Sequence, residues 1–338
     1  MDMIAPGDEA AGGVLVTSLD FELAWGLRES RGGAHWRARV EGARAAIPRL
    51  LDAFAGHGIH ATWGTVGMLA LDGPDELRAL APATRARFVN PALCAYTYAD
   101  AVLGDPAEAP LHFAPDLVRL IAATPGQELA THTFSHYHCA EAGHAAEAFE
   151  ADLAVGLEVL ARFAERPRSI IFPKNQVAPE CLAICAGHGI EAFRGNPPGW
   201  LFAPRTSAER GPSLRRGLRL IDEVLPLSGR NCYPLSAIAG EEPRNVLASR
   251  LFRPGRGSAG FDRLLVRRVC TDLEHAARHG LVFHLWWHPH NFAPDTDRRL
   301  ALLEQVLAAF DRLREQRGMR SMTMLEAARA AGRGEGAT

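Results

Sequence analysis

Short apolar segments alternate with amphipathic helical ones along most of the chain, and this rhythm constrains the fold more than any other feature. Residues 14–20 and 60–67 read as strands, joined by a helix in which Ile47, Leu50, Leu51 and Phe54 recur at helical spacing. Pro48 fits the first turn of that helix, and Gly56 and Gly58 fit its end. The alternation continues with helix at 117–123, strand at 128–131, helix at 145–163, strand at 169–172, helix at 179–186 and strand at 190–194. It resumes with helix at 261–279, strand at 281–287, helix at 298–316 and a last strand near Met322. Parallel strands follow from such a pattern, in an open doubly wound sheet or in a barrel.

Between these runs, residues 197 to about 260 are rich in Pro, Gly and Arg, and only 218–225 resembles a strand. We read an elaborated insertion within one domain spanning 1–338, its core about 13–330. The tail from Gly332 is small and polar and is expected to fray. Residues 1–13 lack a basic segment and precede an apolar run broken by Ser18 and Asp20, which argues against a signal peptide. Apolar residues make up 47% of the chain, enough for a large core, and no run is long enough to span a membrane. The formal net charge of −2 gives no reason to expect nucleic acid or an anionic membrane as a partner. The six cysteines show no C-x-x-C pair or dense framework, as expected for free thiols in the cytoplasm. A homo-oligomer is compatible with everything above.

No G-x-G-x-x-G follows the first strand, so the dinucleotide-binding fingerprint is missing. Chemistry-bearing residues stand instead at the strand ends: Asp20 and Glu22, then His132, His136 and His138, then Lys174 and Asn175, then His284, His288 and His290. A β/α barrel gathers such residues on its carboxyl-end face, so their placement favours the barrel. His132 and His136 are four apart and can share a metal, but with 14 histidines that spacing alone is weak. They gain weight because an acid from another strand end can join them, leaving coordination positions open for water and substrate. His275 and His279, by contrast, sit at a helix end before Gly280 and read as structural.

Asp20 and Glu22 are two apart, so both side chains lean one way while Phe21 packs the other. One can bind metal while the other serves as base. Near the last strand, His288 is the candidate general acid, because only His titrates unaided near neutrality; His290 is second, and His284 suits a buried, hydrogen-bonded role. Of 37 basic residues only Lys174 is a lysine, and it stands at a strand end with the other chemistry-bearing residues.

These segments resemble the polysaccharide deacetylases of the NodB-homology type (carbohydrate esterase family 4) over most of the chain. The matching stretches are Thr17-Ser18-Leu19-Asp20-Phe21-Glu22, Ala61-Thr62-Trp63-Gly64-Thr65-Val66-Gly67, the run Glu128 through His132-Thr133-Phe134-Ser135-His136, Ile171-Phe172-Pro173-Lys174-Asn175, and Leu285-Trp286-Trp287-His288-Pro289. The resemblance implies a distorted (β/α)7 barrel and an Asp-His-His divalent metal site, usually zinc, with cobalt or manganese as alternatives. It also implies hydrolysis of an N-acetyl group from an amino sugar, with a carboxylate base and a histidine acid. Carried over by position, Asp20 is the base, Glu22, His132 and His136 are the ligands, and His288 is the acid; the roles of Asp20 and Glu22 could be exchanged.

Three departures matter, the first being that the family's adjacent Asp-Asp pair, base then ligand, is here Asp20-Phe21-Glu22. The family's Arg-Pro-Pro-Tyr segment is here Phe172-Pro173-Lys174-Asn175, so the arginine that pairs with the base is absent at its place, and the resemblance implies that Lys174, the local cation, faces the site to hold Asp20 ionised or steady an oxyanion. The family's Asp-Trp motif is echoed only by Arg194-Gly195-Asn196 and Trp200, which makes Trp200 a candidate wall of the acyl pocket. The expected substrate is an acetamido sugar in a glycan, on a nucleotide or lipid, or in a small glycoside. Two alternatives stand beside it: hydrolysis of another C–N bond, as in ureide-hydrolysing relatives, and a non-catalytic carbohydrate-binding module.

Overall fold

Ten strands form one sheet in the computed structural model, which describes residues 12–209, 214–255 and 257–335. The start of the chain, read above for a signal peptide, lies outside the described residues up to Ala11. Val14–Phe21 (β1) is buried along its whole length, as the near-continuous apolar run of a central parallel strand demands. It pairs in parallel with Ala61–Thr65 (β2), which pairs with Gln127–Thr131 (β3), and the series continues through Ser169–Ile170 (β4) to Ala192–Phe193 (β5). Tyr233–Pro234 (β6) is antiparallel to a later strand.

Arg244–Asn245 (β7) and Arg250–Leu251 (β8) come from the segment read as an insertion, and they close the ring. β7 pairs with β5, while β8 pairs with Leu281–Trp287 (β9), itself parallel to β1. Between them Val246 and Ala248 donate to Phe193 O and Gly195 O, and Ser249 and Phe252 donate to His284 O and Trp286 O. The short pair β7–β8 thus acts as the seventh stave of a distorted (β/α)7 barrel, and residues 197–260 are partly barrel wall. Arg320–Met322 (β10) pairs with the first residues of β1.

The last helix, Met324–Glu335, runs on through Gly332 where fraying was expected. It buries Met324, Ala327, Ala328 and Ala331 against Val14, Val16, Ala192, Val246 and Val282, near the strand starts. One end of the barrel is therefore plugged with apolar side chains, and chemistry is left to the carboxyl end.

Two local expectations change. Pro48 lies inside a helix spanning Trp36–His57, because Trp36, Val40 and Ala43 extend the buried stripe upstream; Gly58 caps it in the left-handed region, φ 60°. The 218–225 stretch is helical, Leu214–Asp222: Arg215 and Arg219, four apart, both donate to Leu201 O, a spacing only a helix provides. Among the described residues no helix is long and apolar enough to cross a membrane, and all six cysteines are free.

Candidate active site

Glu22 leaves the end of β1, His132 follows β3 directly, and His136 is four residues further on. A turn with left-handed Thr133 (φ 63°) and His136 (φ 56°) brings both rings toward Glu22. Asp152, from the helix Ala146–Leu160, ties this turn down by accepting from Phe134 N at 2.8 Å, from Ser135 N at 3.2 Å and from the Ser135 hydroxyl. Glu22 Oε2 lies 3.1 Å from His136 Nε2 and 3.6 Å from His132 Nε2. One ligand atom from each of the three residues falls within 4.8 Å of the others, and all three side chains are buried.

Donor chemistry here suits a divalent ion. His132 donates from Nδ1 to Ile171 O at 2.7 Å, which leaves the Nε2 lone pair aimed into the cluster, and this buried nitrogen has no hydrogen-bond partner. His136 Nδ1 receives Arg28 Nη1 at 3.2 Å, so its Nε2 carries the proton given to Glu22 and would release it on taking a metal. Burial pushes the His136 imidazole down to about 3 against the pull of Glu22, and so keeps it neutral. Burial alone would raise the Glu22 carboxyl, but His288, His132 and His136 outweigh it and hold Glu22 well below the usual range. Two imidazoles and a carboxylate make a catalytic-type ligand set. Gly26, one helical turn on, is required: a Cβ there would overlap the Glu22 carboxylate.

Facing this cluster is Asp20, gripped by an arginine the linear motif did not foretell. Arg194, directly after β5, donates from Nη1 to Asp20 Oδ1 at 2.6 Å and from Nη2 to Oδ2 at 2.8 Å. Its guanidinium also reaches Ser18 Oγ and Asn175 Oδ1, and stacks 4.1 Å from the Trp286 ring centroid. Burial again works to raise the Asp20 carboxyl, but Arg194, followed by His288, keeps it below its ordinary value. The expected pairing of Lys174 with Asp20 does not form: left-handed backbone at Lys174 (φ 56°) and Asn175 (φ 51°) turns the lysine to an ion pair with Glu29. The signal available in the sequence was position, since Arg194 ends a strand as the other site residues do.

His288 Nε2 stands 3.6 Å from both Asp20 Oδ2 and Glu22 Oε1, with its ring partly open to the pocket. His290 Nδ1 is 3.8 Å from Glu22, but it is buried, and burial with neighbouring His288 lowers its pKa well below normal, which disfavours the charged acid form. His284 is fully buried and bonds Ser18 Oγ at 2.8 Å, the structural role expected of it. Trp200 is 64% exposed. The tryptophan lining the cavity beside the site is Trp286, together with Asn175 and Asn196.

The barrel with this constellation at its carboxyl end has the fold shared by polysaccharide deacetylases of the NodB-homology type. A protein from Mycobacterium smegmatis described as a polysaccharide deacetylase is similar at 14% identity and a TM-score of 0.59, over 99% of this chain and 94% of its own. PuuE allantoinase (11% identity, TM-score 0.52, 96% and 91% covered) and a protein from Pseudomonas aeruginosa PAO1 described as a polysaccharide deacetylase (11%, 0.52, 95% and 91%) share the fold as well. No protein-family model and no curated protein matches the chain.

Proposed function

We propose that this chain is a metal-dependent hydrolase that removes an N-acetyl group from an amino sugar. The observation that carries the reading is the buried, unpartnered His132 Nε2 meeting His136 and Glu22, opposite Asp20 and His288. Glu22, His132 and His136 would hold a divalent cation, zinc in our reading, which supplies Lewis acidity toward an acyl oxygen and water. Asp20, ionised and oriented by two Arg194 hydrogen bonds, accepts the proton of the attacking water. The water oxygen adds to the acyl carbon, the C–N bond breaks, and His288 gives its proton to the departing nitrogen, so acetate and a free amine result. His288 suits this last step because it is the histidine of the site that opens to the pocket.

The free thiols support a reducing compartment, and we extend the proposal to the cytoplasm. The test is acetate release from a panel of acetamido sugars after loading with zinc, cobalt or manganese, alongside metal analysis. In the His132→Ala variant metal content and turnover are expected to vanish together, turnover by about 10³-fold or more, or about 4 kcal/mol in the barrier. Full turnover without metal overturns the reading, as does sugar binding with no acetate released from any member of the panel.

A further inference from the structure

A cavity of about 340 Å³ opens beside Asp20 and Arg194, sharing Asn175, Asn196 and Trp286 with the site. Its lining also includes Arg216, Arg219, Arg250 and Arg253, against only two acids, Asp222 and Glu223. Two of these arginines are already neutralised. Arg250 Nε bonds Asp272 Oδ2 at 3.1 Å, and Arg253 pairs with Glu223. Asp222 is occupied by Ser228, which donates from its backbone N at 2.7 Å and from its hydroxyl at 2.9 Å.

Arg216 and Arg219 are left with no carboxylate partner among the described residues. Arg219 is steered into place by Leu201 O, which accepts from its Nε at 2.5 Å. Burial lowers its pKa, and Arg215, Arg205 and Arg253 crowd it further, so like charges are held together here at a cost. An anion in the cavity would relieve that repulsion, and two forked guanidiniums match the two charges and several oxygens of a phosphate.

We infer that the cavity binds a phosphate group carried by the acetamido sugar, so that the substrate class is a sugar 1-phosphate or a diphosphate-linked sugar. The inference rests on the deacetylase reading of the adjacent site. Cavity and pocket meet at Asn175 and Trp286, so one sugar can place its acetamido group against Asp20 and His288 while its phosphate reaches Arg216 and Arg219. A volume near the lower end for ligand pockets fits a phosphorylated sugar end and leaves a longer aglycone to emerge past exposed Arg216.

The test uses the full zinc-loaded chain with four probes: methyl N-acetylglucosaminide, N-acetylglucosamine 1-phosphate, the uridine diphosphate sugar and a short prenyl diphosphate sugar. Equilibrium binding by calorimetry and acetate release are both measured. Phosphorylated probes are expected to bind at least tenfold more tightly than the neutral glycoside, and the preference should fall with salt. Arg216→Gln, at an exposed position that leaves the fold intact, and the double variant with Arg219→Gln should erase most of it while changing neutral-glycoside turnover less than twofold. Ranking among the phosphorylated probes separates nucleotide, lipid and free phosphate sources. Equal binding and equal turnover of neutral and phosphorylated probes overturns the inference and leaves the deacetylase reading intact. Arginine-dependent phosphate binding without any acetate release does the reverse: it supports the cavity's role and removes the proposed reaction.

Discussion

On one side of the pocket the turn that carries His132 and His136 is fixed from nearby in the chain by Asp152, while on the other Asp20 meets Arg194 across 174 residues of sequence. The histidine turn of the first wall is local, with a four-residue spacing, left-handed backbone and Asp152 beneath it, and Glu22, with Gly26 under its carboxylate, meets it from another strand end. The second is assembled only when the barrel closes, because Arg194 follows β5 and is reached through Ser18, Asn175 and Trp286. The proposed ligand set is thus carried by one short turn and one strand end, whereas the partner of Asp20 is fixed as a place in space. An arginine on the neighbouring strand end can fill that place as well as one in the expected segment.

The sharpest way to break this comparison is to exchange the two cations it concerns. Arg194→Met leaves Asp20 buried and unpaired, which should cost about 3–5 kcal/mol of stability and most of the turnover. Lys174→Met removes a partly exposed ion pair with Glu29 and should cost about 1 kcal/mol or less, with turnover changed less than threefold. Denaturant unfolding and acetate release on both variants check this. If Lys174→Met proves the more damaging of the two, the second wall is wrongly assigned.

The same contrast governs what could be read in advance. Strand and helix positions along β1, β2, β3 and β9 were legible because their buried runs are long, and the grouping of Glu22, His132 and His136, which we propose as a ligand set, was legible because Glu22 and His132 directly follow strands and His136 lies four residues beyond. Residues 214–222 were not, since Leu218, Leu220 and Asp222 alternate as a strand would while Leu214, Leu218 and Ile221 follow a helix, and so short a run does not decide. β7 and β8 hold two residues each, too few to show periodicity; their identity as barrel wall comes from hydrogen bonds to β5 and β9. Lys174 drew attention by rarity, but rarity carries no direction, and the left-handed backbone at 174 aims it at Glu29.

A milder test sharpens the claim that the first wall is locally set. Ala is ordinarily preferred to Gly inside a helix by about 1 kcal/mol, so Gly26→Ala in the helix Leu23–Leu27 would stabilise an unconstrained position. Here the added methyl displaces the Glu22 carboxylate, and metal affinity should fall roughly 10–100-fold while the fold is retained. Competition with a chromogenic chelator measures it. Unchanged affinity would show that Glu22 is free to reach a metal from elsewhere.

The last test concerns Asp152, the carboxylate beneath the histidine turn. Burial raises it from 3.8 to about 6, more than the bonds from Ser135 and Phe134 can offset. The folded state therefore holds this proton more tightly than the unfolded chain. Its stabilising contribution is present below about pH 4 and is lost as pH rises through about 6. A shift of that size corresponds to about 3 kcal/mol between pH 4 and 7. Asp152→Asn cannot ionise, and its amide oxygen can still accept from Phe134 and Ser135, so the turn should persist. The stability of the variant minus that of the native chain should accordingly climb between pH 4 and 7, with metal content little changed. A flat difference across that range would mean the carboxylate pays no burial cost, and that the first wall depends on something other than this one buried group.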